Sequence, residues 1–151
     1  MAKKLPQSIQ ALIGEIGERQ VLLRLLLHTL EKPWQVFQNM NEFGFDILLV
    51  NADTARQVRV EVKTRQRIYT TGKINRAVHF TLTHGEYQAS DFLVAYFLDF
   101  NEFYVVPTKD LKQSRSGKKI LWKYILGMLR DGTPSPVRER YLDRWDLIFQ
   151  D

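Results

Sequence analysis

The sequence predicts an α/β fold, a mixed central β-sheet flanked by helices, and three observations carry that reading. Apolar residues recur at helical spacing over a long stretch near the N-terminus. The middle of the chain holds short apolar runs and strict period-two alternation, divided by polar turns. A basic loop, a further strand and a short helix then precede two more strands and C-terminal helices, an element order of the α/β or α+β type. The 151 residues are most simply one domain, with a core over about 8–112 and a C-terminal helical extension over about 119–150.

In chain order, Ser8 is placed to cap a helix running to about Leu30, with Leu12, Ile13, Ile16, Leu23, Leu26, Leu27 and Leu30 forming a broad apolar face. Glu15 and Glu18 lie one turn apart in its first half, where the helix dipole favours acids. Pro33 forbids continuation of the helix, and residues 34–37 read as a short strand. Residues 45–50 form an almost continuously apolar strand, suited to cover on both faces. In the next strand Val58, Val60 and Val62 alternate with Arg59, Glu61 and Lys63, which puts Glu61 and Lys63 on one face with the valines behind them. Residues 65–77 read as a polar loop or flexible hairpin holding Gly72 and several cations. Val78, Phe80 and Leu82 alternate as a strand, and Thr83 and Glu86 have capping-box spacing for a short helix. Strands are expected over 92–98 and 102–106, with Thr108 placed to cap a short helix. Helix is expected over 120–130, with Leu121, Ile125, Met128 and Leu129 inward. Ser135-Pro136 starts a last helix with one stripe of Val137, Tyr141, Leu142, Trp145, Ile148 and Phe149.

The most specific stretch is GFDILLVNADTARQVRVEVKTRQ, residues 44–66: two strands joined by a polar turn. With the turn centred on Asp53-Thr54, an antiparallel register sets Asp46 directly opposite Glu61, their Cβ atoms roughly 4.5–5.5 Å apart. Two carboxylates so placed repel each other, and the arrangement points to a cation between them.

Composition narrows the chemistry. The net charge of +5 and pI near 9.5 suit a polyanionic partner. Six basic residues (Arg59, Lys63, Arg65, Arg67, Lys73, Arg76) stand against Glu61 in one segment, and six more (Lys109, Lys112, Arg115, Lys118, Lys119, Lys123) against Asp110 in another. Clustered cations of this kind are an electrostatic footprint for nucleic acid. The chain has no cysteine, which removes disulfides and thiolate metal sites, and its three histidines show no zinc-ligand spacing. No glycine-rich phosphate loop supports an ATPase, so no nucleotide cofactor is expected. The N-terminal residues lack a signal-peptide core, and the longest apolar run, over 21–30, is interrupted by Arg24 and His28 and too short to span a bilayer. A cytoplasmic protein, bacterial or phage-like, with no membrane partner is the expectation.

Glu-x-Lys alone occurs by chance about once in every two chains of this length. A decoy of the same type, Asp110-Leu111-Lys112, is present with no acid upstream on a paired strand. What distinguishes Glu61-Val62-Lys63 is the second acid facing it. Phosphodiester hydrolysis needs an activated water and neutralisation of charge on the phosphorus. Paired carboxylates suit Mg²⁺, with the Val62 carbonyl as a third donor, and a lysine on the same face orients or deprotonates the water.

An early glutamate helix, Gly-Phe-Asp-Ile at the head of one strand, Glu-Val-Lys-Thr-Arg in the next, and SDFLVAYFLDFNEFYVVPTKDL beyond together resemble the PD-(D/E)xK, or restriction-endonuclease-like, nuclease superfamily over residues 14–112. Phe45 stands where the motif has proline. The resemblance implies a restriction-endonuclease-like core, metal-binding acids at Asp46 and Glu61, the lysine at Lys63 and the helical acid at Glu18, preferred to Glu15 through the Gly17-Glu18-x-x-Val21 pattern. Among small members the layout is similar to the restriction-type homing endonuclease of a bacterial group I intron, with Holliday-junction resolvases next. The expected activity is therefore Mg²⁺-dependent cleavage of specific double-stranded DNA by a homodimer or dimer of dimers, with a Holliday-junction resolvase or other structure-specific DNA nuclease as the alternative and a non-catalytic DNA-binding module on the same fold as a further one. Arg65, Gln66, Arg67, Lys73, Asn75 and Arg76 are the candidates to contact DNA, since arginine reads guanine and Asn or Gln reads adenine.

Overall fold

The computed structural model describes residues 6–41, 43–66 and 77–150. Its spine is a five-stranded sheet in the order β1-β2-β3-β5-β6, built from β1 (Trp34–Gln38), β2 (Ile47–Asn51), β3 (Gln57–Arg65), β5 (Phe92–Phe97) and β6 (Glu102–Pro107). All neighbours are antiparallel except β3 and β5, which run parallel. That parallel pair needs a crossover, and the chain makes it through β4 (Ala77–Thr83) and α2 (His84–Ala89). The mixed central sheet expected from the sequence is present.

Two apolar layers cover this sheet. On one face Val58, Val60 and Val62 of β3, Ile47 and Leu49 of β2 and Val94 and Tyr96 of β5 pack against Val21 and Leu25 of α1 (Gln7–His28) and against Trp145 and Ile148 near the C-terminus. On the other face Leu93, Ala95 and Phe97 meet Phe80, Leu82 and Leu126. The second layer is a three-stranded antiparallel sheet, β4-β8-β7, with β7 at Lys112–Ser116 and β8 at Lys119–Gly127.

Several expectations are corrected. α1 has Pro6 rather than Ser8 at its N-cap, with no side-chain cap bond, and ends at His28. Its inward face is Gly17, Val21 and Leu25, whereas Leu12, Ile16, Leu23, Leu26, Leu27 and Leu30 are exposed. Residues 119–127 form β8, not a helix. Ile120, Trp122, Tyr124 and Leu126 alternate along it, and a tight turn at Gly117, φ 61°, folds β7 onto it. The same residues fit a helical period, so only the pairing with β4 decides between them. Thr108 caps nothing; its hydroxyl donates to the Ser90 and Asp91 carbonyls. The last expected helix is broken: Ser135 caps a 3-10 turn at Pro136–Arg140, Asp143 takes a left-handed φ of 52°, and only α3 (Asp146–Phe149) is α-helical. The capping box is formed as expected, with Thr83 Oγ1 accepting from Glu86 N–H and Glu86 Oε1 accepting from Thr83 N–H.

Candidate active site

Over residues 47–50 the hairpin keeps the expected register, but the ladder stops short of pairing Asp46 with Glu61. Ile47 faces Val60, Leu48 faces Arg59 and Leu49 faces Val58. Asn51 shapes the turn, its side-chain oxygen accepting from the Asp53 and Thr54 N–H groups. One residue beyond the ladder, Asp46 N–H donates to the Val60 carbonyl at 2.9 Å. The Asp46 carbonyl is taken by Asn39 N–H at 2.8 Å, and the Val62 N–H is met by Asp46 Oδ2 at 2.7 Å. A carboxylate thus stands where a strand carbonyl would continue the sheet. The N–H and C=O of one strand residue face the same neighbour, so the Val62 carbonyl turns toward the same edge. Gly44, φ 93°, supplies the left-handed turn that leads the chain into Asp46.

Glu61 and Lys63 project from the face of β3 opposite the valine layer, toward α2. Lys63 Nζ lies 3.4 Å from Glu61 Oε1 and 2.7 Å from Glu86 Oε2. Glu86 therefore divides its carboxylate, one oxygen for its own helix cap and the other for the lysine. Gly17 makes the remaining approach possible. A Cβ built there would lie 1.6 Å from Thr64 Oγ1, so only glycine lets α1 lie this close on β3. One residue on, Glu18 is carried to the same place, while Glu15 pairs with Arg19 at 3.4 Å in solvent. Glu18, Asp46, Glu61, Val62, Lys63, Arg65 and Glu86 all line one cleft of about 700 Å³.

The electrostatics of the cleft are those of four acids crowded around the single ammonium of Lys63. Burial, then a hydrogen bond with Glu86 and the Asp46 charge, pushes Glu61 up to about 10. Burial also raises Asp46 and Glu18, Glu18 further through the Asp46 charge. Glu86 is held down to about 2: its burial acts upward, but hydrogen bonds from Glu61, Lys63 and the Thr83 N–H outweigh it. Lys63 is raised, the bonds to Glu86 and Glu61 overcoming the cost of burying its ammonium. Glu61 Oε2 is buried without a hydrogen-bond partner.

No family model matches the chain, and no curated protein matches it. Among solved structures it is similar to I-Ssp6803I, a bacterial homing endonuclease, at 20% identity with a TM-score of 0.59, covering 93% of this chain and 93% of that one. It is also similar to the Holliday junction resolvase Hjc of Archaeoglobus fulgidus, at 13% identity and a TM-score of 0.57, over 91% of this chain and 97% of that one. The chain has the restriction-endonuclease-like fold.

Within this restriction-endonuclease-like fold, all four residues expected to do chemistry, Glu18, Asp46, Glu61 and Lys63, come together in the cleft. The decoy does not. Asp110 sits in a 3-10 turn where Tyr141 donates to it, and Lys112 faces Lys123 on the second sheet. Of the expected DNA contacts, Arg65 lines the cleft mouth with Nε donating to the His79 carbonyl and Nη1 to the Thr64 carbonyl, and Gln66 follows at the end of β3. Arg67, Lys73, Asn75 and Arg76 lie outside the described residues. Glu86 is the residue the sequence reading missed. Its capping role was legible, but the 2.7 Å bond to Lys63 depends on how α2 folds over β3.

Among the described residues no three His, Cys, Asp or Glu side chains gather as a metal shell. The donors are two carboxylates and one carbonyl. That set fits a hard cation that keeps several waters, such as Mg²⁺, and the unpartnered Glu61 Oε2 is a buried acceptor suited to it. No helix among the described residues is long and apolar enough to cross a membrane.

Proposed function

We propose that the protein is a divalent-metal-dependent endonuclease that hydrolyses double-stranded DNA at a specific site. The observation that carries this reading is Asp46 placed at the Val62 N–H beside the buried Glu61, with Lys63 held against both Glu61 and Glu86 in one cleft. Asp46, Glu61 and the Val62 carbonyl would hold Mg²⁺. The ion supplies a water of lowered pKa and neutralises charge on the phosphate when bound. Asp46 is fixed by its main-chain bond, so one donor is set before any ligand arrives. Lys63, on the same face and held as an ammonium, orients the attacking water or stabilises the charge developing on phosphate oxygen. Glu18 closes the cleft from α1 and accepts hydrogen bonds from water there.

The second sheet supports DNA as the substrate. Lys112 and Lys123 face each other across β7 and β8, a like-charge pair that an anionic backbone would relieve. Cutting two antiparallel strands takes two active sites, so the working form is a homodimer or a dimer of dimers.

Lys63→Ala and Asp46→Asn should each abolish Mg²⁺-dependent cleavage while leaving DNA binding within a few-fold of wild type; full activity in either sinks the assignment. A junction-resolving activity is the second reading, supported by the likeness to Hjc over 97% of that chain. Incubation with a four-way junction and with a randomised linear duplex library separates the two. Cleavage of the junction alone, independent of sequence, favours the resolvase.

A further inference from the structure

The exposed side of α1 has the pattern of a helix–helix seam. Ile9, Leu12, Ile16, Arg19, Leu23 and Leu26 follow alternating intervals of three and four residues, the spacing of the inward positions of a coiled coil, and Leu30 stands in the turn just past the end of the helix. Leu27 widens the stripe. The seven aliphatic residues are between 38% and 65% exposed, while the opposite face of the helix is the one buried on the sheet at Gly17, Val21 and Leu25. With roughly 100 Å² bare on each, the stripe offers about 700 Å² of apolar surface, above the patch size usual for a monomer and close to the ~800 Å² per partner of a stable interface.

We infer that this stripe is where a second copy of the chain docks, α1 against α1 in antiparallel orientation. A three-four seam is filled by a helix carrying the matching stripe, and among the described residues α1 is the only helix longer than six residues. A second copy presents the same stripe, so a two-fold axis across α1 makes the surface its own complement. Arg19 sets the orientation. In a parallel, in-register pair the two Arg19 side chains would meet at the same layer of the seam, setting like charge against like. In an antiparallel pair each Arg19 slides past the axis to lie against an aliphatic neighbour, with Glu15, 3.4 Å from it in one copy, one turn away as its counter-charge. The inference builds on the paired-nuclease reading, and its test measures assembly rather than cleavage, so either fails alone.

The test uses the full chain in sedimentation velocity and chemical cross-linking. Leu23 is half exposed, so Leu23→Glu should keep the wild-type circular-dichroism spectrum as a folded monomer while raising the dimer dissociation constant at least about 100-fold. The chain contains no cysteine, which makes single-cysteine variants unambiguous. Arg19→Cys, near the axis, should form covalent dimers with a short bis-maleimide, and Leu12→Cys alone should not. A wild-type monomer at high micromolar concentration, or a dimer unaffected by Leu23→Glu, overturns the proposal. Equal cross-linking at Arg19→Cys and Leu12→Cys overturns the antiparallel orientation. A monomer that floats with anionic phospholipid vesicles in a Leu23-dependent way assigns the stripe to lipid and likewise overturns it.

Discussion

Glu61→Gln should make the metal-free protein more stable at neutral pH while destroying its metal response. Glu61 is 5% exposed at its side chain and its folded pKa is raised from 4.5 to about 10, burial being the main cause and the Glu86 bond and Asp46 charge adding to it. An acid raised in this way costs the fold nothing below about pH 4.5, where both states carry the proton. The cost grows as pH rises above 4.5 and is complete only near the folded value of about 10. At about 1.4 kcal/mol per pH unit, holding the proton at pH 7 costs roughly 3 kcal/mol. Glutamine removes that cost and keeps a neutral group against Glu86. It forfeits the contact of Lys63 with Glu61 at 3.4 Å, so a net gain of about 1–3 kcal/mol is expected, or several degrees in Tm for a chain of this size. Thermal unfolding in EDTA between pH 4 and pH 8 reads the effect: the advantage should be absent near pH 4 and widen steadily above 5. Added Mg²⁺ should then raise the Tm of wild type and leave the variant unmoved. A variant less stable than wild type by the same margin at every pH would mean that Glu61 is already ionised in the free protein, and the argument from burial would fail.

Three further outcomes follow from single contacts. Gly17→Ala should destabilise by roughly 1–3 kcal/mol and lower cleavage, because its Cβ would enter Thr64 and push Glu18 from the cleft, whereas Gly14→Ala, with nothing within 4 Å, should be neutral or gain up to about 1 kcal/mol; urea unfolding of both variants checks this. Glu86→Gln preserves the α2 cap, since glutamine also serves at that position, but removes the anion 2.7 Å from Lys63 that helps hold its pKa up; the pH profile of cleavage should move to lower pH, and the melting temperature at neutral pH should fall because the ionised Glu86 that the fold favours is lost. Lys112→Glu converts a like-charge pair with Lys123 into an opposite one, so it should stabilise the free protein by about 0.2–1 kcal/mol while weakening DNA binding and flattening its salt dependence, as a binding titration over a range of salt would show.

The site was legible where chemistry is local in sequence. The turn at Asn51 and the valine alternation impose the register that runs from Ile47–Val60 to Val50–Gln57 within a single hairpin, whereas Asp46 lies one residue beyond that ladder, its N–H on the Val60 carbonyl and its carboxylate on the Val62 N–H. Glu86 was illegible because its bond to Lys63 spans 23 positions and depends on the crossover that lays α2 over β3. β8 was misread for a related reason: its residues satisfy both periods, and the partner strand β4 that selects one is distant in sequence.

The misreading of α1 has a different physical origin. Reading hydrophobicity by size assigned the inward face to the leucines, yet the sheet accepts the small face, because Gly17 must sit on Thr64. That close approach is what carries Glu18 to Asp46 and Lys63. A helix rotated to bury Leu12, Ile16 and Leu23 would stand further from β3 and turn Glu18 away from the cleft. The leucines therefore face outward as a direct consequence of building the site, and a chain that spends its smallest helical face on the sheet has its largest one left for a second copy. On this reasoning, enlarging Gly17 should loosen both cleavage and the packing of α1 on its own sheet, whereas charging Leu23 should dissociate the pair and leave the geometry of Glu18, Asp46, Glu61 and Lys63 intact.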